Sequence, residues 1–338
     1  MEIQTILPEY AALTGQGAAD GKTKLDECCK KLLSNRIILA WIMKCTMKEY
    51  RDYAPDEICN CFIEGNPVVS MTPVHQDTDG NRVWVNDIGG SRIHGDNTVD
   101  ESITEGRVTY DIRFRAAAPQ NGEMLTLIIN VEAQADFWPG YPLLKRGIYY
   151  GGRLLSAQYG TDFQQSHYEK LKKVVSVWIC TNPPKARSHS LSKYEMAERN
   201  IVGEYREPVD HYDLLTVILI CLGRNTDYPG NSPENQIINL LTVLLSTGFD
   251  AAQKKNLLER EYGITATKEL DEEMKQMCNY SDYVEQIGIE RGIRTGFQKG
   301  LIETCKELGV SRNTTLSKLI TKFTLTETAA EEILSKYW

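Results

Sequence analysis

The feature that most constrains the fold is the run Leu125-Thr126-Leu127-Ile128-Ile129-Asn130-Val131, which ends in Glu132-Ala133-Gln134. An almost unbroken apolar stretch of strand length is expected of a central strand covered on both faces. Its end is unusual. Glu132 and Gln134 are two residues apart, so on a strand they share one face. A carboxylate and an amide therefore sit side by side where a buried strand reaches its limit.

The surrounding segments supply partners for this strand. Val108, Tyr110, Ile112 and Phe114 alternate with polar residues and predict a strand with those four on one face. Pro119-Gln120-Asn121-Gly122 is a turn signal that makes a hairpin of the two strands. After a Pro-Gly loop, Leu143 to about Gln158 reads as a helix. Val174–Cys180 and Leu214–Leu222 read as further strands. Strand, hairpin, strand, helix, strand makes an α/β core.

Upstream, residues 1–22 have no clear pattern. Thr23 offers an N-cap with Asp26 three residues on. Apolar positions then keep helical spacing from Lys24 to about Tyr50, with Ser34-Asn35 as an interruption. Residues 52–106 are rich in Gly, Pro, Asp and Asn and predict short strands and loops.

Downstream, the pattern turns helical from Glu234. Leu240 to Leu245 lie in one helix, and Asp250 caps another that runs to about Tyr262. Gly288, Gly292, Gly296 and Gly300 fall every fourth residue, each followed by Ile289, Ile293, Phe297 or Leu301. Each glycine costs a helix about 1 kcal/mol relative to alanine. Close packing against another helix, of this chain or of a second subunit through residues 285–308, would offset that cost; the alternative is a frayed or repeat-expanded linker. Two short helices are expected at 312–323 and 327–337. The organisation is then a loose N-terminus (1–23), an α/β domain (24–225), a helical region (226–280) and the glycine-tetrad helix with its C-terminal helices (281–338).

Composition excludes some classes. The chain has 338 residues and a net charge of −8, which argues against a protein that coats nucleic acid without specificity. A local basic groove stays compatible with that total. The N-terminus lacks the basic start and apolar run of a signal peptide, and no stretch is long enough to span a bilayer, so a cytoplasmic protein is expected. The nine cysteines show no CxxC pair and read as free thiols of a reducing compartment. Residues 15–23 approach a phosphate-binding loop, but position 16 is Gln where the motif needs Gly.

Asp111 lies across the hairpin from Glu132. Two carboxylates brought together on adjacent strands repel, and each is driven toward protonation unless a cation lies between them. A hard divalent ion meets that need, and Mg²⁺ takes a few carboxylates plus waters.

Asp111, then Ile129-Asn130-Val131-Glu132-Ala133-Gln134, then Arg146-Gly147-Ile148-Tyr149-Tyr150, resembles the PD-(D/E)XK nuclease superfamily, in particular the PD-(D/E)XK nuclease family transposases, akin to recombination-promoting nucleases. The resemblance covers roughly residues 24–225. It implies a restriction-endonuclease-like αβββαβ core with a mixed sheet, followed by a helical extension, and a DNA endonuclease that needs Mg²⁺ or Mn²⁺. Asp111, Glu132 and Gln134 would be its catalytic residues. Asp111, Glu132 and the backbone carbonyl of Ala133 would bind the metal.

Gln134 stands where most of the superfamily has lysine. An amide orients water but carries no positive charge. Lys145 or Arg146 would supply that charge. Asp26 or Glu27 would match an acidic residue often present on the first helix, and Arg146 and Tyr149 would lie near a phosphate. The alternative is a nuclease fold kept as a DNA-binding or scaffold protein with weak or no catalysis. Lys170, Lys172 and Lys173 either touch the nucleic-acid backbone or form a solvated run.

Overall fold

The computed structural model describes residues 16–69, 99–102, 106–120, 123–223, 235–246 and 248–338. Residues 1–15, residues 70–98 of the Gly- and Asn-rich stretch, and Asn121-Gly122 of the turn signal lie outside them. The chain divides into two units, residues 23–279 and residues 280–338 together with 1–22.

The larger unit opens with helices α1 (Gln16–Ser34) and α2 (Arg36–Thr46). The interruption expected at Ser34-Asn35 is present. Asn35 is extended, and its side chain accepts from the N–H of Ile37, so it caps α2. The start differs from expectation. Helix α1 already runs from Gln16, so Thr23 lies inside the helix and not at its start. A short helix α3 (Pro55–Glu57) continues as a π-helical turn over Ile58–Phe62.

Among the described residues the strands are β1 (Ile63–Val69), β2 (Val99–Ser102), β3 (Gly106–Thr109), β4 (Ile112–Gln120), β5 (Glu123–Asp136), β6 (Val174–Asn182), β7 (Ser190–Glu195) and β8 (Leu215–Cys221). Six form one mixed sheet in the order β1-β4-β5-β6-β8-β7, and β2 pairs with β3 separately. Strands β4 and β5 form the expected antiparallel hairpin, with Ile112 opposite Val131. β5–β6 and β6–β8 are parallel, with helix α4 (Leu143–Ser156) between β5 and β6 in the chain. The edge strand β7, antiparallel to β8, had no counterpart in the expectation. The protein is thus α/β with a mixed sheet, and β5 is central, as its apolar run requires. β1 carries a bulge between Glu64 and Val68, where Gly65 takes a left-handed φ of 61°.

The sheet is covered on both faces. Ile128, Val174, Trp178, Val217 and Leu219 pack with Leu143, Tyr150 and Leu154 of α4. The alternate residues Ile129, Val131, Val175, Val177 and Ile218 are buried on the opposite face.

The strand expected over 108–114 is two strands. It breaks at Tyr110-Asp111, between β3 and β4. Val108 and Tyr110 join the core on the α4 side. Ile112 and Phe114, opposite Val131 and Ile129, belong to the other face. The bend changes the face, so the four do not share one. It also leaves Asp111 at the joint, free of the strand ladder.

Helices α5 (Gln236–Leu245) and α6 (Ala251–Tyr262) follow. Asp250 and Gln253 form a reciprocal capping box, and Gly263 ends α6 in the left-handed region. Helix α7 (Lys268–Glu307) is continuous over 40 residues and carries the glycine tetrads. A Cβ built on Gly292, Gly296 or Gly300 would meet nothing within 4 Å. The expected backbone-close packing is therefore not made within the described residues. In the smaller unit, Ile302, Leu319, Ala330 and Leu334 form a core with helices α8 (Arg312–Phe323) and α9 (Glu327–Tyr337), which lie where the periodicity predicted them.

Candidate active site

Asp111 and Glu132 come together. Asp111 is 1% exposed and Glu132 2%. The N–H of Asp111 donates to Glu132 Oε1 at 3.2 Å, and the N–H of Ala133 donates to Asp111 Oδ2 at 3.0 Å. Each carboxylate is thus held by backbone next to the other. Asn130, on the same face of β5, donates from Nδ2 to Glu132 Oε1 at 3.2 Å. The apolar flanks of β5 fix this geometry, because a slip of one residue would turn every side chain to the wrong face.

Electrostatics follow from burial. Burial drives the Glu132 carboxyl well above its ordinary range, and the charge of Asp111 adds to that shift. The Asn130 and Asp111 donors and the charge of Arg146 pull the other way. Asp111 is also raised, mainly by burial, while Lys30 opposes the rise.

Lys30 is the residue that sequence reasoning missed. It lies on α1 and is 1% exposed. Its Nζ stands 2.7 Å from Asp26 Oδ2 and 3.0 Å from Asp111 Oδ1. Burial works against the ammonium, but Asp111 and Asp26 outweigh it and raise its pKa. Asp26 therefore approaches the site through Lys30. Its neighbour Glu27 is half-buried.

The α4 residues are placed differently from one another. Lys145 is exposed. Arg146 donates to the hydroxyls of Tyr141 and Tyr150, each at 2.6 Å, and its guanidinium lies 4.9 Å from the Tyr150 ring centre and 5.5 Å from that of Trp178. Tyr150 is core. Tyr149 is 45% exposed and accepts from Arg153 at 3.2 Å. Gln134 is half-buried on β5 opposite Cys180 of β6.

Lys172 and Lys173 are each engaged in ion pairs within the protein. Lys172 pairs with Asp162 at 2.5 Å, and Lys173 with Glu49 at 2.9 Å and Asp213 at 2.8 Å. All nine cysteines are free thiols.

A small hard cation fits this donor set. Among the described residues no group of three or more His, Cys, Asp or Glu side chains could hold a metal ion, and the neighbouring carboxylates here are the two of Asp111 and Glu132. Asn130 Oδ1 beside them is buried without a hydrogen-bond partner. Two carboxylates and an amide oxygen suit an ion that keeps several waters, as Mg²⁺ does, and suit soft metals poorly. Of Ala133, the N–H is in use on Asp111.

No helix among the described residues is long and apolar enough to cross a membrane. Comparison of the chain with known protein families, with curated proteins and with solved structures finds no match.

Proposed function

We propose that this chain is a Mg²⁺-dependent DNA endonuclease with a restriction-endonuclease-like core. The observation that carries the reading is that the buried residues Asp111, at the joint between β3 and β4, and Glu132, within β5, are each bonded by backbone next to the other. Asp111 and Glu132 would hold the ion, with Asn130 Oδ1 or the Ala133 carbonyl as a neutral ligand. Bound there, the ion would assist hydrolysis of a phosphodiester as a Lewis acid, and Mn²⁺ would substitute for it. Gln134, on the same face, would orient the attacking water through its amide. Exposed Lys145 and partly exposed Tyr149 would meet the DNA backbone. The resemblance sets such an enzyme in DNA transactions of mobile elements or recombination.

The test is nicking of supercoiled plasmid with Mg²⁺ by wild type, Asp111→Ala and Glu132→Ala. We expect each variant to lose about 100-fold or more, the size of effect seen when one electrostatic stabiliser is removed. Equal activity in all three would end the assignment. A second reading, a nuclease fold that binds DNA without cutting it, is favoured by one observation: Gln134, on the face of Glu132, is a neutral amide. It predicts DNA binding by wild type with no nicking in either metal.

A further inference from the structure

We propose that Lys30 of α1 supplies the positive charge that the site lacks at Gln134, and that it acts through Asp111 as a positioning residue. This rests on the nuclease reading. A fully buried lysine is among the most expensive side chains to place in a protein, and it persists only when paired. Lys30 is paired with two carboxylates, Asp26 at 2.7 Å and Asp111 at 3.0 Å. Asp26 is on the same helix, four residues earlier, and that pair could form on a solvated surface. The contact with Asp111 requires α1 to be docked against the β3–β4 bend.

The charges around the site show what the lysine does. Asp26, Asp111 and Glu132 bring three carboxyl groups to one place, and an anionic phosphodiester must approach them. A divalent ion offsets two charges. Lys30 offsets a third, from the side opposite the Ala133 N–H, because the two donors take different oxygens of Asp111. The Asp111 carboxylate is thereby fixed in rotation. The two α4 cations do not fill this role at Asp111: Lys145 is exposed, and Arg146, tied to Tyr141 and Tyr150, acts with its charge on Glu132, whereas Lys30 is the cation that opposes the rise of Asp111. Lys30 on a helix puts a positive charge directly against the Asp111 carboxylate, while Gln134 on β5 shares the face of Glu132.

The test uses the full chain with Lys30→Gln and with the double variant Lys30→Gln/Gln134→Lys. Nicking rate in Mg²⁺ is one readout, and Mn²⁺ affinity by calorimetry is the other. We expect Lys30→Gln to slow nicking about 100-fold. Its Mn²⁺ affinity should be unchanged or tighter, because losing a cation leaves the carboxylates more attractive to metal. The double variant, with its charge moved to the strand, should recover roughly tenfold of that loss.

The inference is overturned if Lys30→Gln nicks like wild type, or if Mn²⁺ affinity falls in step with nicking, which would make the lysine a mere prop for Asp111. It is equally overturned if the double variant folds and recovers nothing. If Lys30→Gln does not fold, the double variant decides alone. If neither folds, Lys30 belongs to stability and the inference fails. A wild type that cuts no substrate overturns the nuclease reading itself, which is a different result from a cutting wild type with an indifferent Lys30.

Discussion

Helix α4 rests directly on the sheet at Gly147: a Cβ added there would stand 2.9 Å from Nε1 of Trp178 and 2.9 Å from Cγ1 of Val217. The glycine lets the helix approach the sheet closely enough for Arg146, one residue earlier, to lie over Trp178. The indole cannot retreat easily, since it is 1% exposed and its Nε1 donates to Ser176 Oγ at 2.9 Å. Gly147→Ala should therefore destabilise the fold by about 1–3 kcal/mol, the usual cost of overpacking a core. Gly152 on the same helix is the control, because a Cβ there meets nothing within 4 Å. Gly152→Ala should stabilise by up to about 1 kcal/mol. Urea unfolding of both variants decides; a neutral Gly147→Ala would show that α4 can lift from the sheet without penalty.

Glu132 gives a pH signature of stability. Its carboxyl is raised in the folded chain, first by burial and then by Asp111. A raised folded pKa means that folding takes up a proton. The contribution is fully favourable below the unfolded value and is lost as pH rises through the folded one. Glu132→Gln removes that cost. In metal-free protein its melting temperature should exceed that of wild type at pH 8, by a gap that closes as pH falls toward about 4. A divalent cation should raise the wild-type melting temperature more at pH 8 than at pH 6. A gap independent of pH would mean that Glu132 is ionised at no cost, which burial forbids.

Asp162 should behave in the opposite sense. Burial would raise its pKa, but bonds from Arg115 at 2.7 Å and Lys172 at 2.5 Å outweigh it and hold the carboxyl at about 2. A depressed folded pKa contributes stability above the unfolded value, and that stability is lost as pH falls toward about 2. Asp162→Asn should lower the melting temperature at pH 7 by several degrees, with a deficit that shrinks below about pH 4. A deficit of constant size down to pH 2 would assign the effect to packing.

How far these features were legible in the sequence depends on what carries them. The central strand, helix α4, β6 and β8 were readable because an apolar run has few places to go in a soluble chain. Helices α8 and α9 were readable from their spacing, with Ser311 and Thr326 as caps. The bend at Tyr110-Asp111 was not. Alternation over 108–114 fits one strand as well as two, and only the separate pairing of β3 with β2 breaks it. Nor was the edge strand β7, whose residues are largely half-exposed and carry a weak pattern. The carboxylates Asp111 and Glu132 could be placed together from the hairpin alone. Lys30 could not, because Asp26-x-x-x-Lys30 is a pair that solvated helices also use, and its burial depends on where α1 docks. Lys172 and Lys173 were misread for the same reason: their partners Asp162, Glu49 and Asp213 are far away in sequence or in loops.

The glycine stripe of α7 sets up the last prediction. Gly292, Gly296 and Gly300 face open space, while Ile289 and Ile293 beside them are each 55% exposed and Phe297 is 65% exposed. Nothing among the described residues compensates for the glycines, each of which costs about 1 kcal/mol against alanine. Gly292→Ala/Gly296→Ala/Gly300→Ala should therefore strengthen the isolated helix, and amide exchange over 288–304 should slow by an order of magnitude or more, following a gain of about 1 kcal/mol per site. The same substitution adds a ridge of methyl groups where a second copy would need to come close. If two chains pair through residues 285–308, sedimentation of wild type should show a concentration-dependent dimer that the triple variant weakens. A wild type that stays monomeric at high concentration would remove the pairing and leave the exchange result standing alone.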